Sequence, residues 1–144
     1  MIAIGSDHGG YELKESVKRY LDEKNIPYRD MGCNSRDSVD YPVYGRAAAE
    51  AVADGSCEKG IVICTTGIGI SMVANKVPGV RCALCTDTFS AKMTRLHNDA
   101  NVLALGGGIV GTGLALDIVE TFLNTDFSGE EKHQRRIDMI EGGK

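Results

Sequence analysis

Short apolar runs alternate along the chain with stretches whose apolar residues recur every three or four positions. Ile2-Ala3-Ile4-Gly5 predicts a first strand, and Leu13, Val17, Tyr20 and Leu21 then share one face of a helix over Tyr11–Lys24. Pro27–Met31 is a weaker second strand. The Ala-rich run Tyr44–Ala53 reads as a helix stopped at Gly55. Gly60–Cys64 is the clearest strand, and after a glycine-bearing loop a short helix over Met72–Lys76 halts before Pro78. Val80–Cys85 and Val102–Leu105 complete five predicted strands. Helices are expected over Asp87–Leu96, Gly113–Leu123 and, in charged sequence, Gly129–Ile140.

Strands separated by helices of this length pair in parallel through right-handed crossovers, which puts helices on both faces of the sheet. The pattern therefore predicts a doubly wound α/β fold: a mostly parallel five-stranded sheet in a Rossmann-like three-layer sandwich. Residues 1–144 read as one domain. In such folds the ligand lies beyond the carboxyl ends of the strands. That rule singles out Asp7 and His8, the segment Cys64–Ser71, Gly106–Gly108, and also His97 and Asn98 just before the fifth strand.

Composition narrows the function. An apolar fraction of 42% with no run long enough to span a membrane argues against insertion. Sixteen basic against twenty acidic residues, and no Lys/Arg run longer than Arg135-Arg136, argue against a nucleic-acid partner. The N-terminus lacks the charged region of a signal peptide, so a cytoplasmic protein is expected. Five cysteines at irregular spacing read as reduced thiols. Cys82 and Cys85 form a C-x-x-C pattern, but on a strand residues three apart point to opposite faces.

Cys64-Thr65-Thr66-Gly67-Ile68-Gly69-Ile70-Ser71 is the strongest local signal. Two glycines between a buried strand and a helix let backbone N–H groups converge on one spot, where an anion binds. The alternative is a plain strand-to-helix turn. The loop lacks the Lys-Ser/Thr ending of a Walker motif, and a dinucleotide fingerprint would need a third glycine and a ribose-binding acid. A Cys-phosphatase would need Arg at the sixth position after Cys64, which is Ile70. Cys64 then serves either as a base favoured by the surrounding N–H groups or as a small core residue. Asp7, His8, His97 and Asn98 suit sugar hydroxyls or proton transfer. No metal-ligand spacing is visible. Lys132 and Arg136 lie four apart on one helical face, beside His133 and Arg135, as a phosphate clamp or a solvated surface. Asp40-Tyr41-Pro42 with Tyr44 is either a helix start or a phenol offered to a sugar.

Gly5-Ser6-Asp7-His8-Gly9-Gly10, Asp40-Tyr41-Pro42, the Cys64–Ser71 loop, Ala74-Asn75-Lys76, Arg95-Leu96-His97-Asn98-Asp99-Ala100-Asn101 and Val110-Gly111 together resemble the ribose-5-phosphate isomerase B family, which includes galactose-6-phosphate and allose-6-phosphate isomerases. The resemblance runs nearly end to end. It implies a homodimer or tetramer whose active sites are shared between subunits, with the terminal helix (about 129–142) contributing to the dimer, and it implies neither metal nor cofactor. By the same resemblance Cys64 is the base that moves a proton between C1 and C2 through a cis-enediolate. His97 opens the sugar ring, Thr66 relays a proton, and the Thr66–Ser71 loop, including Gly67, Ile68 and Gly69, holds the enediolate oxygen. Asp7, His8, Tyr44 and Asn98 hold the sugar, and Lys132 and Arg136 the phosphate.

Three positions depart from the family pattern. Thr65 replaces a usual glycine, Gly108 stands where many ribose-phosphate members carry a phosphate-gripping Arg, and Lys132 replaces another Arg. Lys supplies charge without the bidentate fork. The expected substrate is ribose 5-phosphate, interconverted with ribulose 5-phosphate. The alternatives are a tetrose or hexose phosphate, such as erythrose 4-phosphate, allose 6-phosphate or galactose 6-phosphate, or a sugar-phosphate-binding domain without catalysis.

Overall fold

The computed structural model describes residues 1–142. Five strands, β1 (Ile2–Ser6), β2 (Tyr28–Asp30), β3 (Lys59–Cys64), β4 (Cys82–Leu84) and β5 (Val102–Gly106), form one sheet in the order β2-β1-β3-β5-β4. Every pairing is parallel. The helices are α1 (Tyr11–Glu23), α2 (Tyr41–Ala53), α3 (Ile68–Ala74), α4 (Thr88–Asn98), α5 (Thr112–Asn124) and α6 (Glu131–Ile140). The doubly wound α/β fold expected from the sequence is present, with the sheet parallel throughout.

Alternation along the strands divides the core into two layers. Ile2, Ile4, Ile61, Ile63, Leu103 and Leu105 face α1, α4 and α5, meeting Val17, Leu21, Ala91, Ile118 and Phe122. Ala3, Val62, Cys64, Val102 and Ala104 face α2 and α3, meeting Ala48, Ala49, Val52, Ile70 and Ala74. The second layer is thin because its residues are small: a Cβ on Gly5 would sit 2.8 Å from the Tyr44 carbonyl oxygen of α2. Cys82 joins one layer and Cys85 the other, so the C-x-x-C pair faces apart. Burial pushes the Cys85 thiol up to about 11.

Pro42 explains one shifted boundary. It lies in the first turn of α2, where its missing N–H costs nothing, so the helix starts at Tyr41 and not at Tyr44. Likewise α3 starts at Ile68, directly on the glycine turn, and β4 shrinks to three residues at the sheet edge. Among the described residues no helix is long and apolar enough to cross a membrane.

Candidate active site

The chain leaves β1 through α1 toward one side of the sheet and leaves β3 through α3 toward the other, so the crevice between the ends of β1 and β3 is the topological switch point. Three loops are stitched together there by backbone hydrogen bonds. The Asp7 N–H donates to the Ile63 carbonyl (3.2 Å), Gly107 to that of Cys64 (2.8 Å) and Gly108 to that of Thr65 (2.8 Å). A shallow cleft of about 390 Å³ opens above them, lined by Asp7, Tyr41, Cys64, Thr65, Thr66, Ile68 and Gly69.

Cys64 ends β3 and is 5% exposed. Its Sγ accepts the Gly67 N–H at 3.1 Å. Gly67 stands at φ +78°, and a Cβ there would meet Leu84 Cδ1 at 2.6 Å. The Ile68 N–H donates to Thr66 Oγ1 (3.2 Å), and the Ser71 hydroxyl to the Ile68 carbonyl (2.7 Å). The N–H groups of Gly69 and Ile70 find no acceptor among the described residues, as expected for the first turn of a helix. They are free for an anion.

Asp7 is 5% exposed, and its Oδ1 accepts the Gly10 N–H at 3.1 Å. His8 Nδ1 accepts the Val39 N–H at 3.1 Å, which leaves Nε2 to carry the ring proton. The segment bearing Val39 is anchored by Lys14, a fully buried ammonium that donates to Asp30 Oδ1 (2.6 Å) and to the Cys33 carbonyl (2.7 Å). Burial pushes the Asp30 carboxyl up, but Lys14, Lys18 and the Gly32 N–H outweigh it and leave Asp30 below its ordinary value.

Two expected placements change. The ring of Tyr44 packs against Gly32, where a Cβ would come within 2.7 Å of it, and Tyr41 occupies the cleft instead, lying over Gly69. The early start of α2 brings Tyr41 into the helix, where its ring reaches Gly69 of α3, while the Tyr44 ring lies against Gly32 just past the end of β2. His97 and Asn98 also leave the company of Cys64. They end α4, which leads into the start of β5, whereas Cys64 pairs with Gly106 at its finish. Four strand steps separate those edges, about 13 Å at the usual rise. Within one chain the carboxyl-edge rule therefore excludes this pair.

His97 has its own surroundings. Its ring stacks on His133 of α6, with centroids 4.2 Å apart and planes at 19°. Lys132 and Arg136, flanking His133 on α6, therefore share a helix with the His97 stack and not with Cys64. Lys132 is exposed, and among the described residues its one ion pair is a long contact to Glu130 at 3.7 Å. Asn98 Oδ1 accepts the Thr94 hydroxyl (3.1 Å) beside a cavity of about 520 Å³ that also reaches Arg81. The candidate residues thus fall into two separate groups within the chain. Sequence reasoning missed the position of Tyr41 and the contact of His133; Pro42 as a first-turn residue was the signal for the first, and pairwise stacking has no sequence signal.

Thr65 and Gly108, both departures from the family pattern, touch. A Cβ on Gly108 would lie 3.0 Å from Thr65 Cγ2, and one on Gly9 would collide with Thr65 Oγ1. Among the described residues no group of three or more His, Cys, Asp or Glu converges as metal ligands would.

The sequence matches the family model described as Ribose/Galactose Isomerase over residues 2–140. The chain belongs to this family. It is 52% identical over 140 residues to the putative sugar phosphate isomerase YwlF of Bacillus subtilis, covering 96% of this chain and 93% of the relative. It is 43% identical over 139 residues to ribose-5-phosphate isomerase B of Escherichia coli, with 96% and 93% covered. The solved structure of Clostridium thermocellum ribose-5-phosphate isomerase B superimposes with a TM-score of 0.96 at 52% identity, covering 98% of this chain and 95% of that one. The fold shared with these relatives places the crevice between the ends of β1 and β3.

Proposed function

We propose that the chain is an aldose–ketose isomerase that interconverts ribose 5-phosphate and ribulose 5-phosphate, with Cys64 as the base. The observation that carries this reading is the Sγ of Cys64 at the floor of the cleft, taking the Gly67 N–H at 3.1 Å beside the unpartnered N–H groups of Gly69 and Ile70. Donors fixed where charge develops are typically the largest catalytic contribution. In the forward direction the thiolate takes the C2 proton of the open-chain aldose as the C1 carbonyl becomes an enediolate oxygen. The loop N–H groups hold that oxygen, and Thr66 Oγ1 passes a proton between the two oxygens. The thiol then returns its proton to C1, leaving a ketone at C2. Asp7, His8 and Tyr41 hold the sugar hydroxyls.

Ring opening needs a proton delivered to the ring oxygen, which is the role of His97, and the phosphate needs Lys132 and Arg136. Those groups stand with α4 and α6, away from Cys64, so the reading requires a second copy of the chain to complete each cleft. The surface supports this. Ile68, which lines the cleft, is exposed, as are the apolar side chains of Met72 on α3, Val43 on α2, Leu84 and Phe89, and a subunit interface would cover such side chains. The assembly is a homodimer or a pair of dimers, with α6 at the dimer contact and no metal or cofactor in the reaction.

The contact between Thr65 and Gly108 favours one second reading, a differently cut pocket for a tetrose or hexose phosphate with the same chemistry. The experiment is kcat/KM for ribose 5-phosphate, erythrose 4-phosphate, allose 6-phosphate and galactose 6-phosphate, with a chelator present. Preference for the pentose supports the proposal, and preference for another sugar replaces the substrate. In deuterated water Cys64→Ala should abolish exchange at C2, a loss of about 100-fold or more, while still binding the sugar phosphate. Wild-type protein that binds without ever exchanging that proton would be a binding domain.

A further inference from the structure

The buried seam of α6 consists of two residues one turn apart, His133 (8% exposed) and Ile137 (4% exposed), packed toward α4. An apolar residue would serve the packing equally well. A histidine here instead meets the His97 ring nearly plane to plane, with centroids 4.2 Å apart. Such a flat contact fixes both the tilt and the roll of an imidazole that an acid–base step needs aimed at one atom, because a small error in aim costs much of the rate. His97 lies in the last turn of α4, next to the left-handed Asp99 that ends the helix. A side chain at such a terminus is poorly restrained by its own helix.

We propose that His133 is a positioning residue for His97, holding the ring by stacking and coupling its orientation to the helix that carries Lys132 and Arg136. The inference rests on the reading of His97 as the ring-opening group. The charges around His133 favour a neutral platform. Loss of solvent comes first in holding its pKa below the ordinary histidine value, followed by the facing His97, with Lys132 and Arg136 acting in the same sense and Glu130 against them. On the α4 side Arg95 is engaged with Asp99, so it brings no free charge to the stack. A neutral ring accepts a face-to-face neighbour in either protonation state, whereas a charged one repels an imidazolium.

The test compares His133→Phe, which keeps a flat ring, with His133→Leu, which keeps the burial but not the plane, alongside His97→Asn. The readouts are kcat and KM for the sugar phosphate, and the ring-current shift of the His97 ring protons by NMR. The expected result is a kcat for His133→Phe within about threefold of wild type, and for His133→Leu a loss of about tenfold or more with KM little changed. The upfield shift of the His97 protons should persist with Phe and vanish with Leu. Equal kcat values in Phe and Leu variants, or a change confined to KM, would overturn the proposal, since a purely structural role treats both replacements alike. Retained activity in His97→Asn, with the shift pattern as expected, would instead remove His97 from the reaction and leave the stacking contact standing.

Discussion

The backbone N–H of Gly67 reaches Cys64 Sγ across 3.1 Å from a residue held at φ +78°. The left-handed turn aims the donor at sulfur, and nothing but glycine takes it without strain. Gly67→Ala adds a Cβ 2.6 Å from Leu84 Cδ1 and 2.9 Å from the Leu105 carbonyl carbon. The expected cost is roughly 2 kcal/mol of stability and about 100-fold in kcat, measured by denaturant titration and steady-state kinetics. A variant with full kcat would show that the donor does nothing for the proposed Cys64 base.

Lys14 and Asp30 support the loop that contacts His8. Asp30 has its carboxyl below the ordinary value, so its contribution to stability is present above the unfolded value of about 3.9 and is lost as pH falls through the folded one. Denaturation at pH 6 and pH 3 should show a smaller acid loss in Asp30→Asn than in wild type. Lys14→Met, which leaves the Cys33 carbonyl and Asp30 without their buried donor, should lose roughly 3 kcal/mol at neutral pH. Identical acid losses in wild type and Asp30→Asn would remove this network from the pH response.

Ser6 is fully buried at the end of β1, and its Oγ has no hydrogen-bond partner among the described residues. A buried hydroxyl without a partner opposes folding by about 1 kcal/mol or more. Ser6→Ala is therefore expected to raise the denaturation midpoint while leaving KM unchanged. A lower midpoint would mean that the hydroxyl is engaged in the folded protein.

Thr65 and Gly108 should behave as a pair. Gly108→Arg alone crowds Thr65 Cγ2, whereas Thr65→Gly with Gly108→Arg relieves that crowding and adds a guanidinium fork at the cleft mouth. The gain in kcat/KM for ribose 5-phosphate on adding Thr65→Gly to the Arg variant is expected to exceed the change Thr65→Gly makes in the wild-type background. Additive effects would place the two side chains outside one another's influence.

Much of this architecture was legible in the chain. The switch between short apolar runs and helical spacing located all five strands, and the carboxyl-edge rule led directly to Asp7 and the Cys64 loop. Asp40-Tyr41-Pro42 was open as a helix start, but the Ala-rich pattern set the boundary at Tyr44, so the place of Tyr41 in the first turn was not read. His97 and Asn98 were expected at the carboxyl edge with Cys64 but end α4, which leads into the start of β5: their nearness to a strand in sequence does not say which end of that strand they approach. The His97–His133 contact spans 36 positions between two helices, and only packing reveals it.

The most direct test of the account mixes two inactive proteins. Cys64→Ala and His97→Asn each damage a different half of the site, so chains refolded together form some dimers in which one cleft has both native residues. Activity on ribose 5-phosphate should return to about a quarter of wild type at equal mixing, from the statistics of pairing in a symmetric dimer. If the mixture shows no more activity than its separate components, Cys64 and His97 do not meet across subunits, and the proposed site is wrong.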